Sequence, residues 1–196
     1  MIILFGPAGS GKSTQGRLIA DRFGWKWLSV GQVLRDSGRF AETLKEGKLV
    51  DDEQVITLMN YEIGKADAEG ENVVLDGYPR DEYQARWLYE NDKMKDVELV
   101  VVLKVPVEEL WNRIEKRGRS DDTREVVERR FQVFHENIEG ILKLFAEKNV
   151  KIVEMDGVGS FEEVTDELTE IVAENVEGAE VVDEKLTNSM EQSYGE

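Results

Sequence analysis

The chain opens MIILFGPAGSGKSTQ, residues 1 to 15. Five apolar residues, Met1 to Phe5, run straight into Gly6-Pro7-Ala8-Gly9-Ser10-Gly11-Lys12-Ser13, which meets the spacing G-x-x-x-x-G-K-[ST] at every fixed position. The flanks give the match its weight. An apolar strand feeds the loop, and a helix is expected over Ser13 to Phe23 with Leu18 and Ile19 on its inner face. In such a turn, backbone N–H groups surround phosphate oxygens and the helix N-terminus adds its positive end. Lys12 is placed to reach the β- and γ-phosphates, and Ser13 to face a magnesium ion. The loop implies a nucleoside triphosphate and says nothing of what becomes of it.

Working outward, further apolar runs suit buried parallel strands: Trp27 to Val30, Asn72 to Leu75, Leu99 to Val105 and Lys151 to Met155. Helical patterns lie between them, so an α/β fold with a mostly parallel sheet and helices on both faces is expected. The clearest helix carries Val127, Phe131, Phe134, Ile138, Ile141 and Phe145 in steps of three and four. Asp122 and Glu125 have capping-box spacing at its start. With 196 residues the chain has room for one sizeable core. It has no cysteine, which excludes disulfides and cysteine-ligated zinc. No run of 18 apolar residues occurs, and the opening is too short and lacks the basic start of a secretory signal, so a cytoplasmic protein without membrane association is expected. The last twenty residues, 177–196, hold six acids and one lysine and read as a flexible acidic tail after a domain over 1–176.

A formal net charge of -17 argues against a nucleic-acid or anionic-lipid surface. Yet residues 116 to 130, KRGRSDDTREVVERR, collect five arginines: Arg117, Arg119, Arg124, Arg129 and Arg130. An acidic protein has little use for that patch unless something anionic visits it. Arg130 flanks the apolar stripe, whereas Arg124 and Arg129 read as a solvated helix face. His135, beside the same stripe, reads as structural or solvent-exposed.

Two other stretches carry chemistry. In NVVLDGYPRDEYQ, residues 72 to 84, Asp76 ends a strand, where a carboxylate holds magnesium through water beside the phosphate loop. Gly77 allows close approach of a ligand, Arg80 follows at the mouth of the sheet, and Gln84 opens the next helix. Two readings of Gln84 stand: its amide suits the edge of a base, and its spacing suits a capping partner for Asp81. In LSVGQVLRD, residues 28 to 36, Gly31 turns the chain and Arg35 falls on the first turns of a helix. Asp51 and Gln54, in EGKLVDDEQV, have capping-box spacing.

With GPAGSGKSTQ, LSVGQVLR, GKLVDDE, VLDGYPRDEYQ and RSDD in this order, the chain resembles the nucleoside monophosphate kinases, and most closely the adenylate kinases, in a short-lid form. The resemblance spans residues 1 to about 175. It implies a P-loop NTPase fold with a five-stranded parallel sheet, a small monophosphate-binding flap about residues 30–60 and a minimal lid about 117–123. It implies Mg2+ as cofactor, ATP, AMP and ADP as partners, a monomer, and reversible transfer from Mg·ATP to AMP. ATP would be held by Gly6, Gly9, Ser10, Gly11, Lys12, Ser13, Thr14, Arg113, Arg117 and Gly159. AMP would be held by Val30, Gly31, Arg35, Lys48, Val50, Gly77, Arg80, Gln84, Arg119 and Arg130. Lys12, Arg80, Arg117, Arg119 and Arg130 would be catalytic, and Ser13 with Asp76 would serve the metal.

The chain departs from the family pattern in several places. Val30 stands where adenylate kinases usually carry a threonine that bonds adenine. The twelve residues between Arg35 and Lys48 make a short flap, and only Gly118 separates Arg117 from Arg119. Ser13 replaces a glycine common in the family. The RSDDTRE segment and Val30 resemble the pyrimidine monophosphate kinases (UMP/CMP kinases), whereas Gln84 points to adenine. A phosphate-loop binding protein that has lost transfer is the other alternative; it would not need the full arginine set. Asp121 and Asp122 either tie the lid arginines or cap the following helix.

Overall fold

A computed structural model of the chain describes residues 1–46, 50–119 and 122–182. Five strands form one parallel sheet in the order β2-β3-β1-β4-β5. They are β1 (Ile2–Phe5), β2 (Lys26–Ser29), β3 (Val73–Asp76), β4 (Leu99–Lys104) and β5 (Lys151–Asp156). The helices are α1 (Lys12–Phe23), α2 (Val30–Asp36), α3 (Ala41–Lys45), α4 (Asp52–Ala68), α5 (Glu82–Glu90), α6 (Val107–Arg117), α7 (Arg124–Glu147) and α8 (Phe161–Asn175). This is the α/β architecture expected from the alternation of apolar runs and helical patterns.

The strand residues explain the layering. Ile2 to Phe5 and Leu99 to Leu103 are buried along their whole length, because helices cover both faces of the central strands. One core lies between the sheet and α4, α5 and α7, including Tyr78, Ile141 and Phe145. The other lies between the sheet and α1 and α8, including Ile19, Leu168 and Val172. Each fully buried Ile, Leu or Val contributes roughly 1.5–3 kcal/mol of transfer free energy. β1 sits between β3 and β4, so the strand order reverses at the loop that follows it. That crevice is where open α/β sheets bind ligands.

Two local readings are corrected. The N-cap of α7 is Thr123, whose side chain accepts the Val126 N–H; Asp122 lies one residue earlier, and its carboxylate is used by Arg117 and Arg130 instead. Arg35 lies in the last turn of α2, since that helix already begins at Val30. The Asp51 cap is as expected, with Oδ1 accepting from Gln54 N at 3.2 Å.

Beyond α8 the described residues, up to Val182, stay docked. Val176 is buried, Ala179 packs on the same core, and Val182 N donates to the Arg22 carbonyl at 2.9 Å. The flexible-tail expectation for residues beyond 182 falls outside the described residues.

Candidate active site

The phosphate loop is shaped by its own backbone. Gly11 is the N-cap of α1 at φ 89°, a left-handed conformation that strains any residue with a Cβ. Its carbonyl accepts from Thr14 N and Gln15 N, which starts the helix. Lys12 Nζ donates to the Pro7 carbonyl at 3.2 Å, so the ammonium lies back across the loop. Gln15 is buried and anchors α1 to α8: its Nε2 donates to the Phe161 carbonyl and its Oε1 accepts from the Thr165 hydroxyl.

The loop forms one side of a cavity of about 220 Å³. Gly6, Lys12 and Ser13 line it from the end of β1 and from α1, Gly31 and Arg35 from α2, Asp76, Gly77 and Arg80 from the end of β3, and Arg117, Arg119 and Arg130 from the junction of α6 and α7 (the hinge) and from α7 itself. Burial and the surrounding cations both act on Lys12. Its pKa is held below the usual lysine value, first by burial and then by the charges of Arg80, Arg117 and Arg130, with Asp76 opposing. Arg80 is pushed down to about 10, mainly by burial, with Arg130 and Arg35 adding and Asp76 and Asp81 opposing; it stays cationic at neutral pH. Gly31 lets two of these guanidiniums converge. A Cβ there would lie 3.3 Å from Arg80 Nη2 and 3.4 Å from Arg35 Nη1.

The hinge arginines are organised by one carboxylate. Asp122, whose side chain is 3% exposed, accepts from Arg117 Nε at 2.9 Å and from Arg117 Nη2, and also from Arg130 Nη1 at 3.0 Å. The open question about Asp122 is thereby answered: it ties the arginines. Asp121 lies outside the described residues. Arg124 is turned away, with Nε on Glu128 at 2.9 Å and its guanidinium 5.7 Å from the Trp111 ring. Arg129 reaches across to the Glu46 carbonyl at 2.6 Å, a link between α7 and the residue that follows α3, which spacing did not disclose.

Asp76 is 2% exposed, and its Oδ2 has no partner among the described residues. An orphaned carboxylate oxygen beside the phosphate loop, with Ser13 in the same cavity wall, is a donor set that fits a hard divalent cation held largely by phosphate oxygens and water. Ser10 Oγ is likewise buried without a partner among the described residues.

Other expected site residues lie off the cavity wall. Thr14 is exposed, and Val30 and Val50 are buried in the core. Arg113 braces the loop from outside: Nη1 donates to the Ser10 carbonyl at 3.4 Å, Nη2 to the Gly157 carbonyl at 2.9 Å and Nε to Glu109 at 2.7 Å. Gly9 packs against Leu110 and Ile114, and Gly159 precedes the Ser160 capping box of α8. Lys48 lies outside the described residues. Gln84 is 1% exposed; its Oε1 accepts from Arg80 N, and both hydrogens of its Nε2 are taken by Asp81 and Asp52. Its backbone N also donates to Asp81 Oδ1, which is the capping reading of this residue. Burial, and then the neighbouring Asp52 carboxylate, push Asp81 up to about 6 against the pull of the Gln84 N–H. His135 stacks edge-on against Phe134 and does not line the cavity.

Sequence reasoning did not identify the apolar wall. Phe5, Val133, Phe134, Ile138 and Ile141 line the cavity together with the arginines. The α7 stripe read as core, but Arg130 lies three and four residues before Val133 and Phe134 and so shares their face. That proximity was the available signal.

Comparison with known proteins bears directly on this arrangement. The adenylate kinase family model matches residues 4–150. The chain belongs to the adenylate kinase family. It is 39% identical over 178 residues to the adenylate kinase of Maricaulis maris (strain MCS10), covering 83% of this chain and 93% of that protein. It is 35% identical over 188 residues to the adenylate kinase of Micrococcus luteus, covering 87% and 89%, and 35% identical over 177 residues to that of Thermus thermophilus, covering 83% and 91%. The adenylate kinase fold is the parallel-sheet P-loop architecture described above, and the activity is that of a nucleoside monophosphate phosphotransferase. Nothing found favours a pyrimidine monophosphate kinase. Among the described residues, no helix is long and apolar enough to cross a membrane.

Proposed function

We propose that this cavity holds Mg·ATP and AMP together and passes the γ-phosphoryl group between them, reversibly, giving two ADP. One observation carries the assignment of roles: in a chain of net charge -17, Lys12, Arg35, Arg80, Arg117, Arg119 and Arg130 converge on a single cavity bounded by the phosphate loop. Phosphoryl transfer asks a protein for positioning and charge stabilisation, because charge spreads over the equatorial oxygens as the bond breaks. Guanidinium groups hold such oxygens in fixed and often bidentate geometry.

Lys12 and the backbone of Gly6, Gly9, Ser10, Gly11, Ser13 and Thr14 take the donor phosphates. Lys12 leaves the Pro7 carbonyl to do so. Arg113 and Gly159 flank the donor base. Arg35 and Arg80 clamp the acceptor phosphate, with Gly31, Lys48, Val50 and Gly77 along the acceptor and Gln84 on its base edge. Val30, a core residue, offers no hydrogen bond there. Arg117, Arg119 and Arg130 gather on the group in flight, and Asp122 keeps two of them together. Ser13 and Asp76 would hold magnesium, Asp76 through water. When bound, the ion neutralises charge on the phosphate oxygens.

The test is a coupled assay of ADP formation from ATP with AMP, CMP, UMP, GMP or shikimate as acceptor. AMP should lead by at least about tenfold. Equal turnover of CMP or UMP would overturn the adenine assignment. We further place the enzyme in the cytoplasm as a monomer, readings that rest on the family; sedimentation at assay concentration tests the second.

A further inference from the structure

Gln84 ties two parts of the acceptor side together. Its Oε1 accepts the Arg80 backbone N–H at 2.9 Å. Its Nε2 donates to Asp81 Oδ2 at 3.1 Å and to Asp52 Oδ1 at 2.8 Å. An amide nitrogen has two hydrogens, so both are committed. The orientation is unambiguous, because a flipped amide would set its NH2 against an N–H donor and its oxygen against two carboxylates. Asp81 belongs to the same loop and helix as Gln84. Asp52 does not; it is the first residue of α4, in the flap.

A base that pairs with Gln84 needs one of those hydrogens. Asp81 also accepts the backbone N–H of Gln84 and caps α5, so releasing it would disrupt that helix start. Asp52 is the acceptor that a movement of the flap can withdraw. We propose that Asp52 is a positioning residue of the acceptor site: in the acceptor-free enzyme its carboxylate occupies the Gln84 donor that the base of AMP takes. This rests on the reading of Gln84 as the base-recognising residue. The base then exchanges one hydrogen bond for another. The second lone pair of Oε1 remains available to an exocyclic amine. Asp52 therefore weakens AMP binding and fastens the flap helix to the core until AMP arrives.

The effect is selective. An acceptor whose base makes no use of Gln84 can bind with the Asp52 bond intact, so the latch opposes AMP and leaves CMP untouched. Removing Asp52 should lower the KM for AMP about fivefold, the value of one net hydrogen bond. The KM for CMP should change less than about twofold, and kcat should follow neither. Asp52→Asn, which keeps a neutral acceptor and the shape of the helix start, should lower the AMP KM by about twofold. On a Gln84→Ala background, removing Asp52 should not affect AMP.

The experiment measures KM and kcat for AMP and CMP in the wild type, Asp52→Ala, Asp52→Asn, Gln84→Ala and the double variant, with thermal melting of each. NMR of the Gln84 side-chain amide, assigned by its loss in Gln84→Ala, gives a readout apart from activity. That pair should move upfield in Asp52→Asn without nucleotide; an unmoved pair would show that the bond is not made and overturn the proposal. If Gln84→Ala abolishes the AMP preference but Asp52→Ala raises the AMP KM or leaves it unchanged, the latch is overturned and the reading of Gln84 survives. If Gln84→Ala keeps the preference, the reading of Gln84 fails and the latch fails with it. Should Asp52→Ala melt before assay temperature, the Asp52→Asn kinetics and spectra decide.

Discussion

Asp122 accepts the guanidinium of Arg117 through both carboxylate oxygens, at 2.7 to 2.9 Å, from a position almost closed to solvent. A buried carboxylate is stable only with such partners. The same group holds Arg130, so two helices that meet at the hinge share one counterion. Removing it should misplace both arginines without removing either. Asp122→Ala should therefore slow the chemical step by roughly tenfold, a positioning loss. Single-turnover ADP formation checks this; an unchanged rate would show that the arginines find their places unaided.

The arginines themselves should matter more. Arg130→Ala or Arg119→Ala should reduce the chemical step by roughly a hundredfold, with smaller effects on ATP binding, because their contacts strengthen as charge develops. Arg124→Ala should change little, since its guanidinium sits on Glu128 and Trp111. Equal losses at Arg124 and Arg130 in single-turnover kinetics would erase the distinction.

Much of this was legible from local signals. The phosphate loop, the strands and the α7 stripe are short-range patterns, and the strands lie within one residue of the expected bounds. What stayed hidden depends on pairs far apart in the chain. Asp52 meets Gln84 across 32 positions, and Arg129 meets Glu46 across 83. No spacing rule encodes such contacts. Asp122 shows a subtler failure. Capping-box spacing and a hinge counterion look alike in sequence, and the arginines on either side outcompeted the helix N-terminus for its charge while Thr123 took the cap.

Asp81, the cap of α5 beside Asp52, should leave a mark on stability. Asp81 has a folded pKa of about 6 against an ordinary 3.8, so its protonated form is the one that the fold favours. Below pH 3.8 the folded and unfolded chains both carry that proton, and its contribution is fully present. Between pH 3.8 and about 6 the folded chain holds the proton more tightly, so this contribution falls as pH rises and is lost above about 6. Asp81→Asn should flatten that part of the stability profile, with the cap retained. Denaturant unfolding from pH 4 to 7 is the measurement, and identical slopes in the two proteins would contradict it.

Residues 176–182, after α8, pack on the core. A chain ended after Asn175 loses the buried Val176 and the Ala179 contact, as well as the Val182 bond to Arg22. It should melt several degrees below a chain ended after Val182, given about 1–2 kcal/mol of lost burial. Coincident melting curves would mean that residues 176–182 contribute nothing to the fold.

The cationic cavity set in an acidic body has a kinetic consequence. Nucleotides are anions, and at a distance they meet the repulsion of the whole chain before they feel Lys12 and the arginines. Ionic strength separates the two fields. At about 0.15 M salt the screening length is about 8 Å, short enough to mute the outer repulsion while leaving charges inside the cavity less affected. Raising salt from about 10 to about 150 mM should therefore accelerate nucleotide association, the reverse of ordinary electrostatic steering, before higher salt weakens the bound state. Stopped-flow binding of a fluorescent ATP analogue would trace that maximum, and a rate that only falls with added salt would show that the local field dominates even at long range.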